Sequence, residues 1–111
     1  MKFDFLDYGP SPEICQYVNL PAITNSGCSS FYPSVTDAMI CAGDGTSNQG
    51  ACFGDSGGPL VCNENGKAVI VGATSFGGGG ACAVFPTVYA RVTYVLDWIK
   101  ESMVMFSNLF C

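Results

Sequence analysis

Gly54-Asp55-Ser56-Gly57-Gly58-Pro59 sets one serine hydroxyl beside a carboxylate within a run of glycines. Two uses of such a hexapeptide compete. Gly, Asp, Ser and Pro are the favoured turn residues, so it can be an ordinary turn. It can equally display Ser56 as a nucleophile. A serine hydroxyl holds its proton tightly at neutral pH, and it attacks a carbonyl usefully only when a neighbouring base takes that proton during attack. The chain contains no histidine. A nucleophile at Ser56 would therefore lack the side chain most often used as its base.

The flanks separate the two uses. Met39-Ile40-Cys41-Ala42-Gly43 lies upstream, Cys52 stands just before the hexapeptide, and Pro59-Leu60-Val61-Cys62 follows it. Then come Val71-Gly72-Ala73-Thr74-Ser75-Phe76-Gly77, Pro86-Thr87-Val88-Tyr89-Ala90-Arg91-Val92 and Asp97-Trp98-Ile99. In this order the segments resemble the successive signatures of the second barrel of the trypsin/chymotrypsin family of serine proteases, whose triad is a standard example of nucleophilic catalysis. The resemblance covers about Ser11 to Met103. It implies an all-β fold, the C-terminal six-stranded antiparallel barrel of a chymotrypsin-like protease, closed by a C-terminal helix.

Composition bounds the rest. A chain of 111 residues is one domain at most. Charged residues make up 12% of it, below the roughly 25% usual in soluble domains. Such a balance suits an extracellular β-rich protein surfaced with Ser, Thr, Asn and Gly. The net charge of −5, with four basic residues, argues against nucleic acid or an acidic membrane as partner. Seven cysteines without a histidine or a Cys-x-x-Cys spacing read as disulfides rather than a metal site, which places the chain in an oxidising compartment. Yet Met1 to Asp7 is not a signal peptide, because acidic residues interrupt what should be an apolar core. The chain reads as truncated at its start: an atypical leader over residues 1–10, the barrel half over 11–103, and an apolar tail over 104–111.

Short β-type runs broken by turn residues must position the hexapeptide. Strands are expected over Cys15 to Ile23, Ala38 to Ala42, Pro59 to Cys62, Ala68 to Ser75 and Thr87 to Val92. Asn65-Gly66 marks a hairpin turn between the third and fourth. Thr93 is expected to cap a helix near Tyr94 to Met103, with Trp98 or Ile99 buried against the sheet. That makes five strands. The absent one is the first, for which Met1 to Tyr8 is a possible substitute because Phe3 and Phe5 alternate with Lys2 and Asp4. If the gap stays open, Cys62 is an exposed thiol and the chain is expected to form disulfide-linked oligomers.

The resemblance also assigns roles. Ser56 matches the nucleophile, the backbone N–H groups of Gly54 and Ser56 match the oxyanion hole, and Asp55 matches a buried structural aspartate whose ammonium partner this chain lacks. Gly50, Ala51, Ser75, Phe76, Gly77 and Thr87 match the walls of the substrate-binding pocket. Gly50 stands where trypsin-like members carry an aspartate, and Thr87 where deep-pocketed members carry glycine. Cys28 is implied to pair with Cys41, and Cys52 with Cys82. That leaves Cys15, Cys62 and Cys111, of which Cys15 reads equally as a small buried apolar residue. No cofactor and no metal are implied. The implied function is serine-type endopeptidase (peptidase S1) action on protein or peptide substrates, secreted by resemblance, with this fragment incompetent alone. The alternative is a protease-like binding module that keeps a pocket and no triad.

Overall fold

The computed structural model describes residues 12–46 and 48–110, the last four of these by backbone alone. The leader over residues 1–10 and Cys111 lie outside the described residues. The elements run β1 (Ala22–Ile23), α1 (Asn25–Cys28), β2 (Met39–Ala42), β3 (Pro59–Glu64), β4 (Lys67–Phe76), β5 (Thr87–Arg91), a 3-10 turn (Val92–Val95) and α2 (Leu96–Phe110). The five strands form one sheet in the order β1-β2-β5-β4-β3, with every pairing antiparallel. Among the described residues the sheet is open, and its two edges are β1 and β3.

Local chemistry accounts for the elements that matter here. Asn65 and Gly66 both take positive φ, 51° and 81°, which suits the tight turn between β3 and β4. The Gly66 N–H also donates to the Asn63 side chain at 2.9 Å. Pro59 opens β3, a position where its missing N–H is tolerated on an edge strand. Gly72 in β4 is required by close approach, because a Cβ there would lie 2.9 Å from that of Tyr89 on β5. Thr24 caps α1 by accepting from the Gly27 N–H at 3.0 Å. Arg91 then ties the β1–β2 connection to β5, donating to the Met39 carbonyl and the Asn25 side chain, each at 3.0 Å.

The core is small. Cys28, Cys41 and Val88 are fully buried at its centre, with Ile23, Tyr32, Val35 and Met39 packed around them. The Cys28–Cys41 bridge therefore fastens α1 to β2 inside the core itself. Closing a separation of 13 residues stabilises by about 3 kcal/mol through the unfolded state. Cys28→Ala/Cys41→Ala is expected to lose that amount, read as a lower urea midpoint at unchanged slope. An unchanged midpoint would mean that burial of the two side chains, not the covalent link, carries the contribution.

Three expectations are corrected. The strand expected over Cys15 to Ile23 is regular only at Ala22–Ile23. Among the described residues, Glu13 to Leu20 make no backbone–backbone hydrogen bond, so nothing holds that run as a strand. Thr93 does not cap the helix: it lies inside the 3-10 turn, which Arg91 precedes. The helix itself starts at Leu96 and continues through the apolar tail to Phe110. It does not lie on the sheet either, since the turn before it makes the contact with β4. Trp98 is consequently 68% exposed, and Ile99 is only partly buried.

Candidate active site

The hexapeptide is a tight loop stapled to β4. The Asp55 N–H donates to the Cys52 carbonyl at 3.0 Å, and the Cys52 N–H donates to the Asp55 carboxylate at 2.8 Å. Three residues on, the Gly58 N–H donates to the Asp55 carbonyl at 2.8 Å, so the chain turns back at once. Three bonds then fix the loop to one residue of β4. The Gly57 N–H donates to the Thr74 carbonyl, the Thr74 N–H to the Gly58 carbonyl, and the Thr74 hydroxyl to that same carbonyl at 3.1 Å. Gly54 and Gly57 take φ of 97° and 80°, left-handed values that a side chain would strain.

This geometry displays Ser56. The residue is exposed, and it lines both an apolar pocket of about 420 Å³ and a larger groove beside it. The N–H groups of Gly54 and Ser56 donate to no acceptor among the described residues. Asp55 is exposed, not buried, and its carboxylate is occupied by the Cys52 N–H instead of a cation. An isolated buried carboxylate would be costly, and turning outward onto a backbone donor avoids that cost.

The pocket gathers the expected wall residues Ala51, Ser75, Phe76, Gly77 and Thr87. Among the described residues it carries no charged side chain. The Cys52–Cys82 bridge joins two of its walls, so both expected disulfides are present. Gly50 does not line this pocket but the larger groove beside it, and an added Cβ there would lie 3.0 Å from the Thr87 hydroxyl and 3.3 Å from the Ala83 Cβ. Gly77 leaves the mouth open, since a Cβ there would meet nothing within 4 Å. Thr87 is 3% exposed, and its hydroxyl accepts from the Ala51 N–H at 3.2 Å. It also bonds the Tyr89 phenol, which burial pushes above the usual tyrosine range, with the Asp55 charge adding to that rise and the Thr87 bond opposing it.

Three positioning residues went unnoticed in the sequence: Tyr32, Thr74 and Tyr89. Tyr32 braces the wall from behind. Its hydroxyl donates to the Pro86 carbonyl at 2.7 Å, and its ring meets Phe76 and Phe85 edge-on at 5.4 and 5.9 Å. Burial raises the Tyr32 phenol as well, against the effect of a hydrogen bond from the Gly78 backbone. Both phenols stay neutral wherever a tyrosine ordinarily would. Tyr32→Phe is expected to cost about 1 kcal/mol of stability, measured by urea unfolding. A neutral result would mean that water replaces the lost bond.

The sequence model of the Trypsin family matches residues 6–99. The chain belongs to the trypsin/chymotrypsin family of serine proteases. Relatives bear this out: the chain is 38% identical to Trypsin-1 of Astacus astacus over 98 residues, covering 86% of this chain and 41% of that protein. It is 39% identical to human Testisin over 85% of this chain and 32% of Testisin. With Transmembrane protease serine 9 of Rattus norvegicus it shares 45% identity over 91% of this chain and 9% of that protein. The chain thus spans less than half of each of these trypsin-family relatives. Among the described residues, no helix is long and apolar enough to cross a membrane.

Proposed function

We propose that this chain is the nucleophile-bearing half of a serine endopeptidase. Ser56 is the nucleophile, and the N–H groups of Gly54 and Ser56 form the oxyanion hole. The observation that carries this is the exposed Ser56 lining an apolar pocket, flanked by two N–H donors with no acceptor among the described residues. In the reaction, the Ser56 Oγ bonds to the scissile carbonyl carbon while a base takes its proton. The carbonyl oxygen gains charge where the two N–H groups point, and the proton then passes to the departing amine. The base and the aspartate that orients it must come from outside this chain, which has no histidine. Alone, the chain is incompetent.

The pocket sets the substrate class. Without a charged wall it offers nothing to a Lys or Arg side chain, whose desolvation would go uncompensated. The Thr87 hydroxyl is held by the Ala51 N–H and the Tyr89 phenol, so it does not swing aside to deepen the pocket. The substrate is a polypeptide cleaved after a medium-sized apolar residue such as Leu, Met or Val. Two disulfides fit secretion into an oxidising compartment.

The absence of histidine favours one other function, a binding module that holds peptides without cutting them. One experiment separates the two. Co-folding with the histidine-bearing barrel of a close relative should give peptide hydrolysis that Ser56→Ala abolishes. Peptide binding without turnover in that complex would favour the module.

A further inference from the structure

Asn65-Gly66, the turn between β3 and β4, is the one place in the chain where glycine follows asparagine. Such a pair is chemically unstable in an open chain. The glycine nitrogen, unhindered by a side chain of its own, bonds to the asparagine side-chain carbonyl carbon and ammonia leaves. Water then opens the cyclic imide to aspartate or isoaspartate, so nothing but solvent is consumed. The Asn65 side chain is exposed and makes no hydrogen bond among the described residues. Asn25, which precedes Ser26, is the contrast. Its amide nitrogen donates to the Thr36 carbonyl and its oxygen accepts from Arg91, each at 3.0 Å.

What restrains Asn65 is its turn. Asn65 and Gly66 both hold left-handed backbone, φ 51° and 81°, and closing the imide requires the chain to leave that conformation. The Asn63 side-chain oxygen accepts the Gly66 N–H at 2.9 Å, and so engages the very nitrogen that would attack. A neutral amide oxygen is too weak a base to remove that proton, so the bond occupies the nitrogen without activating it. We propose that Asn65 is a site of spontaneous deamidation and that the Asn63 side chain is its guard. The stake is the hairpin. Isoaspartate routes the main chain through the side-chain methylene and lengthens a turn whose length sets the register. That register runs from Glu64 opposite Lys67 at the turn to Pro59 opposite Ala73 beside the nucleophile loop. Gly58 and Thr74, whose bonds fix that loop, are the next residues along. Modification of Asn65 therefore loosens the hairpin from the end opposite Ser56.

The test is the rate of Asn65 deamidation in the full chain at mildly alkaline pH, followed by peptide mass with isoaspartate separated by chromatography. Asn63→Val should raise that rate about fivefold, the effect of removing one hydrogen bond on local opening. Asn63→Asp keeps an acceptor at the same reach and should stay near the unsubstituted rate. Amide exchange of β5 checks that each variant keeps its sheet. The proposal is overturned if Asn63→Val leaves the rate unchanged. It is overturned equally if Asn63→Asp is the faster variant, which would make the side chain at position 63 a base and not a guard. Should Asn63→Val lose β5 protection, the unsubstituted chain decides. Its Asn65 should react on the order of tenfold more slowly in buffer than in urea, and equal rates overturn the proposal.

Discussion

Completed by a barrel that carries a histidine and an aspartate, the chain should hydrolyse peptides with a kcat on the order of 10⁶ above the same complex bearing Ser56→Ala. The size of the effect follows from what is already in place. The nucleophile loop is fixed to β4 through Thr74, and the Gly54 and Ser56 N–H groups await an acceptor. On the proposed reading the base for the Ser56 proton comes from the other barrel, and without a base a serine hydroxyl is a weak nucleophile. Thr74→Val should weaken the completed enzyme by less, because it removes one of three bonds between loop and strand. A completed complex whose rate ignored Ser56→Ala would show that the barrel supplied by the relative does the chemistry.

Specificity carries the second large effect. In the completed enzyme, Leu or Met before the scissile bond should be preferred over Arg on the order of 10³-fold in kcat/KM, since an unpaired cation in an uncharged pocket costs several kcal/mol. Introducing the missing charge by Gly50→Asp alone should do little good. Its Cβ would press on the Thr87 hydroxyl at 3.0 Å and on Ala83 at 3.3 Å. Gly50→Asp/Thr87→Gly removes the first clash and opens the base of the pocket, so the double substitution should reverse the preference toward Arg and Lys. Steady-state kinetics on a matched peptide series reads both effects. A preference for Arg in the unsubstituted enzyme would mean that the pocket walls are misassigned.

Much of this was legible in the residues because the informative ones are local. The hexapeptide and the Asn65-Gly66 turn declare themselves within a few positions of sequence, whereas the two disulfides, closing separations of 13 and 30 residues, followed only from the family resemblance. Strand existence was legible too, and the ends of β2, β4 and β5 fall close to where alternation and turns put them. What escaped depends on partners distant in sequence. Residues 15–21 have the composition of a strand, but a strand needs a neighbour, and the described sheet offers it none. Trp98 has the spacing of a buried helical residue, yet α2 departs from the sheet after the 3-10 turn and leaves it exposed. Tyr32 sits in a run of turn residues that reads as loop, and only its bond to Pro86, 54 positions away, reveals it as a brace of the pocket. Asp55 matches an aspartate that is buried in relatives, and exposure was one of the outcomes expected for it without a cation; what residue type does not announce is the donor it finds, the Cys52 N–H.

The central claim is that Ser56 is a positioned nucleophile waiting for a base. Its most direct test is the rate at which a fluorophosphonate labels Ser56, measured by mass in the chain alone and after completion by a histidine-bearing barrel. The account predicts labelling of the isolated chain no faster than that of an ordinary surface serine, rising by several orders of magnitude on completion. Labelling of the isolated chain at the rate of the completed enzyme would contradict it.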